Sequence, residues 1–297
     1  MIKTLNWFAI PIFACFYSIA FSDEMAKYVK ISDDVTLFYQ EKGVGDPLIF
    51  IPGWCMSSEI FKAQIEFFSQ NYRVIALDPR SQGRSSLTLE NNQYTQHGED
   101  FAKVLDHLQL QNVTVVAWSW GCYDLYAYLR LKGVNQLKKV VFIDASPKCT
   151  GKKEDWAFAE SSAWGVILFQ PIMYRRLKFT KEWLQSMVDK KLSQEELDLL
   201  ASYALRTPTY AAVEMAVDAV YADYTKEAEL LDEKKIPTLN LVSNAFAKVA
   251  SQWLQVHAPH AQVAVMGEKH LAFWEYPDKV NQILEHFLKG TVETKSF

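Results

Sequence analysis

Cysteine is scarce, with four in 297 residues. Cys15 sits inside an apolar N-terminal segment, and the other three, Cys55, Cys122 and Cys149, form an odd set. That count excludes a disulfide framework. Surplus positive charge is missing as well: 31 Lys and Arg stand against 35 Asp and Glu, for a formal net charge of −4. Without a basic stripe, nucleic acid is excluded as a partner. No internal repeat, low-complexity tract or Pro/Gly/Ser-rich linker interrupts the chain, so its length reads as one α/β domain with an insertion. His257 and His260 have no third ligand beside them, and no motif implies a metal or an organic cofactor.

What is present begins with a separate unit at the N-terminus. A positive Met1-Ile2-Lys3 precedes an almost wholly apolar Leu5 to Phe21, and small residues near Ser22 are followed by Asp23-Glu24. Residues 1–22 therefore read as a signal peptide, which predicts export to the periplasm or beyond. The other reading of the same run is an uncleaved anchor, in which case the membrane becomes a partner.

Short apolar runs follow at Tyr28 to Ile31, Val35 to Tyr39, Leu48 to Ile51, Val74 to Leu77, Val113 to Trp118 and Val140 to Ile143. From the third onward they alternate with segments of helical spacing, such as Phe61, Ile65 and Phe68. That alternation predicts a mainly parallel sheet with helices on both faces. The rhythm breaks between 146 and 235, where charged and aromatic helical segments run without a strand signal. It resumes after Pro237 with Thr238 to Val242, Gln262 to Val265 and a closing helix from Pro277. The expectation is a core of residues 23–145 and 236–297, with a helical lid of residues 146–235 inserted after the sixth strand. Trp156, Trp164 and Phe169 in that lid could face a site or form its core.

One stretch carries chemistry. In Ala117-Trp118-Ser119-Trp120-Gly121 a buried strand runs straight into a helix, with a small residue on each side of Ser119. This is the pattern of a nucleophile elbow, with alanine in the first small position. Such a turn lifts the serine oxygen above the sheet and aims the following amide, that of Trp120, at the same spot. The competing reading of a serine in this place is a helix cap.

Three further segments accompany it at matching spacing. Leu48 to Trp54 includes Pro52-Gly53-Trp54; Asp78-Pro79-Arg80-Ser81-Gln82-Gly83-Arg84-Ser85 forms a polar loop; Gly267-Glu268-Lys269-His270 follows the last strand run. Together they resemble the α/β-hydrolase superfamily, in particular its lidded esterases and cofactor-free haloperoxidase-like serine hydrolases. Pro52 stands where the family has histidine, and Ser81 replaces a glycine. The resemblance implies Ser119 as nucleophile, His270 as general base, and the backbone amides of Trp54 and Trp120 as an oxyanion hole. Cys55, Phe246 and Phe273, each beside one of these turns, are expected to contact the substrate. Asp78 and Arg80 are expected to hold their loop.

The pattern departs from the family after Thr238 to Val242, where Ser243-Asn244-Ala245-Phe246-Ala247-Lys248 contains no carboxylate. Asp144, after the sixth strand, is one substitute, as in the haloalkane dehalogenases of this fold. Asn244 as orienter, or a Ser–His dyad with no acid, are the others. The function implied is hydrolysis of a small to medium apolar ester or related acyl compound through an acyl-enzyme, with peracid chemistry available to the same residues. The alternative is a ligand-binding protein that keeps the elbow only as architecture.

Overall fold

The computed structural model describes residues 25–159 and 163–290. The N-terminal segment read as a signal peptide lies outside the described residues. Strands β1 (Ala26–Lys30), β2 (Thr36–Lys42), β3 (Pro47–Ile51), β4 (Arg73–Leu77), β5 (Val113–Trp118), β6 (Leu137–Ile143), β7 (Thr238–Ser243) and β8 (Gln262–Gly267) form one sheet. Their order is β1-β2-β4-β3-β5-β6-β7-β8. β2 runs antiparallel to β1 and β4, and every pairing from β4 to β8 is parallel. Among the central strands β5 and β7 are buried along their whole length, and β3, β4 and β6 over their last four residues. Continuous runs of Val, Ile and Phe in β3 to β6 suit a sheet covered on both faces.

The helices are α1 (Lys62–Phe68), α2 (Tyr94–His107), α3 (Gly121–Lys132), α4 (Ala163–Tyr174), α5 (Arg176–Ser186), α6 (Gln194–Leu205), α7 (Thr209–Val220), α8 (Thr225–Glu233), α9 (Asn244–His257), α10 (Ala272–Glu275) and α11 (Pro277–Lys289). α1 packs with α11 and α2 with α3. In α11 the buried Val280, Leu284 and Phe287 recur at the spacing that puts one apolar stripe toward the core. Pro277 opens that helix, where its missing N–H costs nothing, and Gly290 closes it in the left-handed conformation.

The insertion differs from its expectation in two respects. Lys148–Thr150 pairs in parallel with Ala157–Ala159, and three-residue strands are too short to show an alternating pattern in sequence. α8 belongs with the core, packing against α3 and α9. Its Ala228 and Leu231 are buried, and Arg130 of α3 grips Glu227 through two bonds of 2.7 and 3.0 Å. The cap over the sheet therefore ends near Asp223 and not at 235.

The parallel register decides where chemistry can gather. Ile51 pairs with Ala117, Trp118 with Ile143, and Ile143 with Leu241. The carboxyl ends of β3, β5, β6 and β7 thus lie level, and the turns leaving them, with the loop after β8, meet under the cap.

Candidate active site

At the end of β5 the backbone of Ser119 adopts a left-handed φ of 54°, a strained state for a residue with a side chain. It is held there from both directions: Ser119 N–H donates to Ile143 O at 2.9 Å, and Cys122 N–H donates to Ser119 O at 3.0 Å. The turn after β3 presses against this pivot. A Cβ on Gly121 would lie 2.3 Å from Pro52 O, and one on Gly53 would lie 2.9 Å from Ser119 Cβ. The glycines are there because the two turns nearly touch.

β6 ends one residue before Asp144, which also takes a positive φ, 44°. Its buried carboxylate has two partners: Oδ1 accepts from Ser243 N–H at 2.6 Å, and Oδ2 meets His270 Nδ1 at 2.7 Å. That contact assigns the ring proton to Nδ1 and leaves Nε2 as the basic nitrogen. Asn244 turns elsewhere, donating from Nδ2 to Glu268 at 3.0 Å. Trp118 supports the imidazole: its Nε1–H donates to His270 O at 3.2 Å, and the two ring centres lie 5.2 Å apart.

Ser119 and His270 open into one cavity of about 460 Å³, walled by Trp54, Trp120, Phe158, Pro171, Phe179, Trp183, Ser186 and Met187. Three tryptophans make its aromatic spine. Trp54 meets Trp120 edge-on at 5.6 Å and Trp183 at 5.4 Å, and its indole N–H donates to Ala212 O in the cap at 2.9 Å. With only hydroxyls and one imidazole among these polar groups, the cavity suits a neutral, apolar guest.

A family model described as alpha/beta hydrolase fold matches residues 46–277. The chain belongs to that family. Among its relatives is the AB hydrolase superfamily protein YisY of Bacillus subtilis, 24% identical over 271 residues, which span 89% of this chain and 99% of that one. A bromoperoxidase from Bacillus anthracis shares the fold with a TM-score of 0.80 at 24% identity, over 89% of this chain and 99% of its own. An esterase from Exiguobacterium antarcticum does so with a TM-score of 0.80 at 19% identity, over 89% and 100%.

Within this α/β hydrolase, the three side chains expected to touch substrate are placed elsewhere. Phe273 is fully buried, stacked on Phe61 at 5.3 Å and edge-on to Trp118 at 5.1 Å. It supports the histidine loop from below. Cys55 points into the core–cap junction, where its sulfur lies 3.6 Å from Arg176 Nη2. Phe246 is half-buried on α9, outside the cavity wall, with Phe158 6.5 Å away. Nearness in sequence to a functional turn does not set where a side chain packs, and none of the three lines the cavity.

The hydrolase's cap supplies walls that the sequence reading missed. Phe179, Trp183, Ser186 and Met187 stand at i, i+4, i+7 and i+8, one stripe on α5 running into the turn beyond it. That spacing was a usable signal. Trp156 packs instead against Trp253, buried in the core. Asp78 and Arg80 are structural: Asp78 accepts from Ser58 N–H and Arg84 N–H at 2.6 and 2.8 Å, and Arg80 pairs with Asp100 through two bonds of 2.7 and 2.8 Å. Burial holds the Cys122 thiol well above its ordinary pKa, so it stays protonated beneath the elbow. His257 and His260 bond Glu229 and Asp232, and among the described residues no cluster of three metal-binding side chains occurs.

Proposed function

We propose that this hydrolase is a serine esterase for small to medium apolar acyl groups. Ser119 Oγ attacks the ester carbonyl while His270 Nε2 takes its proton, and the imidazolium returns that proton to the departing alkoxide. The acyl group stays on Ser119 until water, deprotonated by the same nitrogen, releases it as the acid. The amides of Trp54 and Trp120 are assigned to the oxyanion of each tetrahedral intermediate. Asp144 keeps the imidazole in the tautomer the reaction needs and stabilises its charged form.

The observation that carries the reading is the 2.7 Å contact of Asp144 with His270 Nδ1, beside a cavity that His270 and Ser119 both line. A protein that used the elbow only as architecture would have no need of a buried carboxylate on that nitrogen. The test is hydrolysis of p-nitrophenyl butyrate and octanoate by the wild type, Ser119→Ala, His270→Ala and Asp144→Asn. Loss of about 10³-fold or more is expected for the first two, and about 10² to 10⁴-fold for the third. Wild-type turnover no faster than that of Ser119→Ala, with no phosphonate adduct on Ser119, sinks the proposal.

A further inference from the structure

Arg176 opens α5 in the cap, yet its guanidinium reaches down to the turn after β3. Nη2 donates to Thr207 O at 3.0 Å and Ala204 O at 3.3 Å and lies 3.6 Å from Cys55 Sγ, while Nη1 donates to Thr209 Oγ1 at 3.3 Å. Every one of these acceptors is uncharged, and among the described residues no carboxylate forms an ion pair with Arg176. A part-buried cation left without a counter-charge is costly to a fold. Burial pushes the Cys55 thiol up to about 12, outweighing the opposing pull of the guanidinium, so the sulfur does not neutralise it.

The position of this charge matters. Cys55 directly follows Trp54, whose amide is assigned to the oxyanion, and it holds a left-handed φ of 62°. Its carbonyl accepts from Thr207 Oγ1–H at 3.2 Å, so Arg176 and Thr207 together fasten the strained turn to the cap. A positive charge behind such a turn favours an anion forming in front of it over the neutral carbonyl it forms from.

We propose that Arg176 is a positioning residue for the oxyanion turn, lent by the cap, whose uncompensated charge stabilises the anionic transition state without touching the substrate. The inference rests on the reading of Ser119 as nucleophile. It is tested on the full chain with Arg176→Gln, which keeps hydrogen-bonding capacity and loses the charge, and Arg176→Lys, which keeps the charge and loses the fork. The expected result for Gln is a fall in kcat on p-nitrophenyl butyrate of about tenfold, with KM changed less than about twofold. Fluorophosphonate labelling of Ser119 should slow by a similar factor, and Lys should recover most of both rates. Equal losses in Gln and Lys, or a change confined to KM or to the melting temperature, overturn the proposal. If the glutamine variant does not fold, Arg176→Lys alone decides: a loss in kcat above about fivefold counts against a role for the charge. Wild-type protein that takes no label fails the parent reading; normal labelling of Arg176→Gln at the wild-type rate fails this inference alone.

Discussion

The two halves of the cap are attached to the core in different ways. α7 is bound to it by polar contacts along its length. Glu214 accepts from Asn92 N–H at 3.1 Å and Asn92 Nδ2 at 2.9 Å, and Asp218 accepts from Tyr94 N–H at 2.8 Å. The α2 N-terminus has no side-chain cap of its own at Gln93, so the cap domain's carboxylates satisfy its exposed amides and its dipole. Small buried residues on α7, Ala211, Ala212, Ala216 and Ala219, allow this close approach. The α4–α5 corner is held near the two ends of α5. Arg176 reaches Cys55 Sγ from the start of α5 at 3.6 Å, Leu271 N–H donates to Met187 O at 2.9 Å, and Glu275 accepts from Asp189 and Lys190 N–H at 2.8 Å each. At the corner itself Met173, Tyr174 and Leu177 are exposed at 56%, 77% and 54%. α7 is fixed to the core by carboxylates, whereas α5 lends the cavity its wall of Phe179 and Trp183.

The largest expected effect lies on the core side, in the loop after β4. Burial raises the Asp78 carboxyl from 3.8 to about 6. Between those values the native state holds a proton that the unfolded chain has released, so stability falls as pH rises from about 4 to about 6 and then levels off, by about 3 kcal/mol in all. Asp78→Asn should flatten that stretch of the melting temperature against pH; an unaltered slope in the variant rejects the assignment. Next, Asp218→Ala strips the α2 N-terminus of its partner and should cost about 1–2 kcal/mol in denaturant unfolding, with the order of preference among acyl chains unchanged. A change in acyl preference without loss of stability would reverse the contrast between the halves.

On the other side, Glu275→Ala releases the end of α5 from the histidine loop and should cost about 1 kcal/mol, with a larger rise in KM than fall in kcat. Equal effects on both parameters would mean that the tie serves the histidine and not the pocket wall. The smallest effect belongs to Leu177→Gln, on the exposed corner. Stability should stay within about 0.5 kcal/mol and p-nitrophenyl butyrate turnover should be unaltered. A clear loss of stability there would show the corner to be packed after all.

Much of this arrangement was readable in advance. Val113 to Trp118 appears as a strand with the bounds its apolar run suggested, and Ser119 stands at the turn that the small residues Ala117 and Gly121 imply. These features are short-range, set by β-branched content, by burial on both faces and by the space a turn leaves. The cap was read less well. Strands of three residues carry no period, and α8 resembles the cap helices in composition while packing with the core. In sequence Trp118 is only the residue that ends the strand before Ser119. Its indole bond to the His270 carbonyl joins residues 152 apart in the chain.

The sequence by itself determined the strands, the elbow and the set of residues able to do acyl chemistry, because each depends on neighbours within a few positions. Only the tertiary structure decided which carboxylate meets His270, which aromatics face the cavity and which cap helix is fixed to the core. Asp144 and His270 lie 126 residues apart, and they meet because β6, β7 and β8 run parallel in one register and end at the same edge. No local preference encodes that alignment; it arises from packing the whole sheet at once.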